Sequence, residues 1–161
     1  MTQQWWKNSV VYQIYPKSFK ASGDNPTGDL QGIISKLDYL QKLGVDVLWL
    51  TPVYASPQRD NGYDISDYYS IDPSYGTMAD MQELLAKAHS RGLKVIMDIV
   101  VNHTSTAHHW FQEALRDPSS QYYDYYIWKD GNNGNPPTNW LSKFGGSSWQ
   151  FVPETGQYYL H

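Results

Sequence analysis

The stretch Leu93-Lys94-Val95-Ile96-Met97-Asp98-Ile99-Val100-Val101-Asn102-His103 opens as an apolar run rich in β-branched residues and closes on an Asn-His pair. Such a run reads as a parallel strand buried on both faces, here from Leu93 to Val101. An Asp within it is costly to bury alone, so Asp98 needs a hydrogen-bonding partner. Ionisable groups at the C-terminal ends of parallel strands are where α/β enzymes hold their chemistry, which singles out His103.

Upstream, Ser9 to Tyr15 reads as a first strand and Val45 to Leu50 as a second, stopped by Pro52. Between them Leu30, Ile33, Ile34, Leu37 and Leu40 recur at helical spacing, and Gly44 stands where a left-handed C-terminal cap belongs. Thr77-Met78-Ala79-Asp80 has the form of a capping box with Asp in the Glu position. The helix it starts would bury Met81, Leu84, Leu85 and Ala88 and stop at Gly92. Strands alternating with helices in this order demand a parallel sheet with right-handed crossovers. The connection from Thr51 to Gly76 is far longer than usual, which predicts a functional loop.

Downstream of His103 the character changes. Trp110, Tyr122, Tyr123, Tyr125, Tyr126, Trp128, Trp140, Trp149, Tyr158 and Tyr159 sit among Gly, Asn, Pro and Ser. A short helix is expected from Trp110 to Leu115, and the rest reads as an irregular, strand-poor insertion. Amphipathic aromatics suit a surface that grips sugars, and equally a domain whose rings pack on one another. Three parallel strands cannot close a barrel and would leave open edges. The chain is therefore expected to be the N-terminal portion of something larger.

Composition removes several classes. A net charge of −4 with no basic run argues against a nucleic-acid partner. The 161 residues include no cysteine, so disulfide scaffolds and thiolate chemistry are excluded. No apolar run approaches the roughly 20 residues of a membrane helix, and Met1 to Lys7 lacks a signal-peptide pattern. The expectation is a cytoplasmic protein without a membrane partner.

The candidate chemistry lies in two loops after strands. Asp60-Asn61-Gly62-Tyr63-Asp64 places a carboxylate and an aromatic three residues apart on a Gly-containing turn, able to offer a sugar an acceptor pair and a flat face. The plain alternative is that Asn61-Gly62 is only a tight turn. Asn102-His103 offers an imidazole that can exchange a hydrogen bond with a hydroxyl near neutral pH, or be satisfied by nearby backbone. Asp98 most simply pairs with an Arg from another strand, in a supporting role. His103, His108 and His109 match no metal-ligand spacing and read as solvated.

Taken together, these motifs make the chain resemble the N-terminal third of the α-amylase superfamily of glycoside hydrolases. The marks are Trp5-Trp6, Val11 to Phe19, Gly28-Asp29-Leu30, Leu37 to Leu40, Asp60 to Ile65, Asp98 to His103 and Phe144 to Ser147. Within the superfamily it resembles the group of oligo-1,6-glucosidases, dextran glucosidases and trehalose-6-phosphate hydrolases. Lys17 in Tyr15-Pro16-Lys17-Ser18-Phe19 tilts the choice towards the last.

The resemblance implies an α/β fold: the N-terminal part of a (β/α)8 barrel, residues 1–103, followed by an incomplete insertion domain, residues 104–161. It implies that Asp60 binds sugar hydroxyls, that Tyr63 stacks on the ring and that His103 bonds the primary hydroxyl. Asp98 would hold the Arg that positions the nucleophile. The family is retaining and uses an Asp nucleophile, a Glu acid/base and a second Asp. All three belong to later strands, so no catalytic carboxylate is expected within this chain. The expected partner is a small sugar, trehalose 6-phosphate or an isomalto-oligosaccharide. A remote alternative is a non-catalytic barrel relative. No cofactor is implied. Relatives often carry an acidic cation loop between Lys20 and Leu30, but here Ala21, Gly23 and Asn25 replace its ligands and only Asp29 remains, so no metal is expected.

Overall fold

A computed structural model describes residues 4–24 and 26–161, which fall into two compact units, one up to Val101 and one from Asn102 to His161. In the first unit, β1 (Val11–Ile14), β2 (Val47–Leu50) and β5 (Lys94–Met97) make a parallel sheet in the order β1-β2-β5. Side chains alternate between its faces. Ile14, Leu48 and Leu50 point into the core, where they meet Leu30, Ile33 and Leu84 from the helices. Each such fully buried aliphatic contributes about 1.5–3 kcal/mol relative to exposure. The residues between them, Gln13, Trp49 and Ile96, stand in register on the opposite face.

The helical stretch after the first strand divides into α2 (Leu30–Ile34) and α3 (Leu37–Lys42), after the short α1 (Pro16–Phe19). The apolar spacing runs through the break, so Leu30, Ile33, Leu37 and Leu40 are all buried. The Asp29 carboxylate accepts from Gly32 N at 2.6 Å, capping α2, and from Ser22 N at 3.1 Å and Ser22 Oγ at 2.8 Å. Asp29, the residue left from the family's cation loop, thus spends its oxygens on protein donors; Asn25 of that loop lies outside the described residues. In α4 (Met78–His89), the Thr77–Asp80 capping box is present in both directions, and Gly44 and Gly92 carry positive φ of 86° and 76° beyond α3 and α4.

Two readings of the first unit need correction. The third strand ends at Met97, not Val101, and is not buried on both faces: Ile96 is 43 % exposed and Ile99 80 %. The strand with neighbours on both sides is β2, because β5 is the sheet's edge among the described residues and has one partner. The long connection is also more ordered than a plain loop. It contains β3 (Tyr54–Ala55) paired antiparallel with β4 (Asp67–Ile71).

The second unit is not strand-poor. Its β6 (Trp128–Asp130), β7 (Trp149–Val152) and β8 (Gln157–Leu160) form an antiparallel sheet in the order β6-β8-β7, with α5 (His109–Arg116) in the same unit. The strands are short and their Tyr and Trp are interrupted by turn residues, so period-2 alternation barely shows in the sequence. Much of the aromatic excess goes into packing. The Phe111 ring lies 5.6 Å from Trp128, 5.1 Å from Tyr126 and 5.0 Å from Tyr159, distances at which rings attract beyond simple burial. His108, read as solvated, is only 2 % exposed; its Nδ1 accepts from Trp110 N at 3.1 Å and caps α5.

Candidate sugar-binding site

The excursion between β3 and β4 carries Asp60 and Tyr63. Its base is tied by Asp72, a buried carboxylate that accepts from Ser56 N, Gln58 Nε2, Ser74 N and Ser74 Oγ at 3.1, 3.3, 2.9 and 2.6 Å. At its tip Asn61 and Gly62 both have positive φ, 52° and 95°, and Tyr63 N donates to Asp60 O at 3.0 Å. Two successive left-handed residues closed by that bond are the backbone of a primed tight turn, which explains Asn-Gly at its centre. Gly62 is favoured for a second reason: a Cβ there would lie 3.1 Å from Pro52 O, a tight contact with backbone. Tyr15, just after β1, holds the turn from the side through its hydroxyl, which donates to Asn61 Oδ1 at 3.3 Å.

The turn and the strand end meet at Asp98. The Tyr63 hydroxyl donates to Asp98 Oδ2 at 2.7 Å, and the Trp49 indole N–H donates to Asp98 Oδ1 at 2.5 Å. Asp98 N still donates to Leu50 O at 3.2 Å, so the ladder runs one residue past the strand. Trp49 pairs with Ile96, which makes Asp98 its diagonal neighbour on the same sheet face. Among the described residues Asp98 is therefore held by Trp49 and Tyr63. The hydrogen bond to Asp98 is the main cause that lifts the Tyr63 phenol to about 12, followed by burial and by the charges of Asp98 and Asp60.

Asp60 is exposed, and among the described residues its carboxylate enters no hydrogen bond or ion pair, while its backbone does. One turn thus presents an unengaged carboxylate and a phenol ring whose tilt is fixed at its hydroxyl. That is a hydrogen-bond acceptor beside a flat apolar face, the pairing that a hydroxylated ring with one C–H face requires. His103 opens the second unit, is exposed, and lies with Nδ1 3.2 Å from Asn102 Nδ2. Lys17 is exposed on α1. Among the described residues no group of three or more His, Cys, Asp or Glu is arranged to hold a metal ion. No helix among them is long and apolar enough to cross a membrane.

Trp49 was missed by the sequence reading. Its signal was parity: in a strand read from Val45 to Leu50 it alternates with Leu48 and Leu50, but the register that sets it against Asp98 is not written in either strand.

Residues 13–161 match the model of the alpha amylase catalytic domain. The chain belongs to the alpha-amylase family. It is 65 % identical over 158 residues to the trehalose-6-phosphate hydrolase of Bacillus subtilis (strain 168), covering 98 % of this chain and 28 % of that protein. It is 57 % identical over 161 residues to the oligo-1,6-glucosidase of Bacillus cereus, covering 100 % of this chain and 29 % of that one. The crystal structure of Bacillus licheniformis trehalose-6-phosphate hydrolase superposes with a TM-score of 0.94 at 66 % identity, over 99 % of this chain and 29 % of the other. The chain thus spans under a third of the length of these alpha-amylase relatives. Its parallel sheet and flanking helices are the α/β opening of the family's barrel.

Proposed function

We propose that the protein carrying this segment is a cytoplasmic, retaining α-glucoside hydrolase that splits trehalose 6-phosphate into glucose and glucose 6-phosphate. The observation that carries the reading is the Asp60–Tyr63 turn, with one carboxylate left unengaged and one ring anchored by Asp98. In this reading Asp60 accepts from the hydroxyls of the terminal glucose and Tyr63 covers its apolar face. His103 is assigned to the primary hydroxyl on the strength of the Asp98–His103 motif. Asp98 orients Tyr63, and the Arg assigned to it by the family resemblance would share its oxygens. Residues 1–103 serve as the first three β/α units of the barrel and 104–161 as part of the insertion domain. The narrower substrate choice is supported by Lys17 and by identities of 65 % to a trehalose-6-phosphate hydrolase against 57 % to an oligo-1,6-glucosidase.

The nucleophile, acid/base and third acidic residue of the retaining mechanism have no counterpart in this segment, which supplies the grip on the sugar. The test is turnover of trehalose 6-phosphate against isomaltose by the full-length protein. Faster cleavage of the phosphorylated disaccharide is expected. Preference for isomaltose would make the protein an oligo-1,6-glucosidase or dextran glucosidase, and cleavage of neither would sink the hydrolase reading. The 161-residue segment alone is expected to be inactive, checked with material free of host glycosidases.

A further inference from the structure

Two carboxylates stand four positions apart on the excursion, and their surroundings are opposite. Asp60 has no side-chain partner among the described residues, whereas Asp64 is saturated. Asp64 Oδ1 accepts from Ser56 Oγ at 2.9 Å and from Asp60 N at 3.0 Å, and Oδ2 accepts from Arg59 N at 2.9 Å. Ser56 Oγ in turn accepts from Gln58 N at 2.9 Å, and Gln58 is itself in the left-handed region at φ 59°. The chain entering the turn, from Gln58 to Asp60, is thus hung by its backbone N–H groups from Asp64 and the hydroxyl that Asp64 holds.

We propose that Asp64 is the positioning residue that fixes where Asp60 presents its carboxylate to sugar. The inference rests on the reading of Asp60 as a sugar contact. Asp64 reaches the ligand only through the backbone of Asp60: its bond to Asp60 N sets the direction of that residue's Cα–Cβ vector, and the Tyr63 N–H to Asp60 O bond closes the other side. The carboxylate is suited to the task because it alone among the side chains offers two acceptor oxygens with about four lone-pair directions. An Asn at 64 would keep one acceptor and turn an NH₂ group towards N–H donors. Burial alone would raise the Asp64 pKa, but the bonds from Asp60 N, Ser56 Oγ and Arg59 N outweigh it and hold the carboxyl below its usual value, in keeping with an anchor that is ionised at neutral pH.

The experiment is a double-mutant cycle in the full-length protein, with D-glucose as the probe and calorimetric Kd and thermal midpoint as readouts. Asp60→Asn is expected to weaken glucose binding roughly tenfold, the scale of a lost hydrogen bond to a charged group. Asp64→Asn is expected to weaken it by a similar factor, and the double variant to be no weaker than Asp60→Asn alone. Ser56→Ala, which leaves both backbone bonds to Asp64 in place, should weaken binding a few-fold in the parent and not at all in the Asp60→Asn background. This milder variant carries the test if Asp64→Asn does not fold. Effects that multiply would overturn the inference, as would wild-type glucose affinity in Asp64→Asn or Ser56→Ala at a lowered thermal midpoint. If Asp60→Asn itself leaves glucose binding unchanged, the sugar-contact reading fails first and this inference with it.

Discussion

Tyr63 and Asp98 lie 35 positions apart and share a 2.7 Å hydrogen bond that joins the tip of a turn to the end of a strand. The phenol is raised from 10.0 to about 12, chiefly because its neutral form donates to that carboxylate. A raised folded-state value means that the folded state favours the protonated phenol. The bond's contribution is therefore complete below 10.0 and is lost as pH rises through about 12. Spectrophotometric titration should find two late-titrating tyrosines, Tyr63 and the buried Tyr75, each raised to about 12; one of them should disappear in Tyr63→Phe and titrate earlier in Asp98→Asn. In denaturant unfolding, Tyr63→Phe should cost about 1–2 kcal/mol below that window and nothing above it.

Acid should act through other carboxylates. Burial raises the Asp29 carboxyl, but the bonds from Gly32 N and Ser22 outweigh it and leave the group below its usual 3.8, as those from Asp60 N, Ser56 Oγ and Arg59 N do for Asp64. A depressed folded-state value contributes stability above 3.8 that is lost as pH falls through the lowered value. Asp29→Ala should lower stability at neutral pH by about 1 kcal/mol, the usual worth of an N-cap. The difference from the parent should shrink under acid, as followed by urea midpoints.

Gly32 offers a sharper test because general propensity and local packing disagree in sign. Gly→Ala inside a helix ordinarily gains about 1 kcal/mol. A Cβ on Gly32 would stand 1.8 Å from Lys20 O, which is backbone and cannot turn aside. Gly32→Ala is expected to lower the thermal midpoint, at a cost of about 1–3 kcal/mol. A rise in the midpoint would show that α2 can move away from the Lys20 carbonyl.

In the second unit, Phe111 joins α5 to the ring cluster with Trp128, Tyr126 and Tyr159. Phe111→Ala should cost about 3–5 kcal/mol and abolish the near-UV aromatic circular dichroism of that cluster. A variant that keeps this signal would mean that the remaining rings close over the gap.

Much of the first unit could be read from its residues, because its elements announce themselves locally. Thr77 and Asp80 cap a helix with their own side chains, Gly44 and Gly92 end helices by their own conformation, and Pro52 halts a strand. The turn that carries Asp60 and Tyr63 was legible for the same reason, since Asn61-Gly62 favours a tight turn by its own conformation. The partners of Asp98 were not, because they depend on register between β2 and β5, a property of the pair and of neither strand. The exposure of β5 and of the residues after it was hidden in a similar way: Ile96 and Ile99 have a core-like composition, but burial is decided by neighbours. The second sheet escaped notice since β6, β7 and β8 are short and their aromatic residues pack on both faces.

The bond between Tyr63 and Asp98 also orders events in time. Asp98 comes within reach of the turn only after β5 has aligned on β2, and that alignment must first close the chain between Leu50 and Lys94. The tight turn itself forms from four consecutive residues and can precede it. Tyr63 should therefore be among the last side chains of the first unit to lose its freedom. Its immobilisation, followed in a refolding experiment, would report the moment at which β5 has aligned on β2.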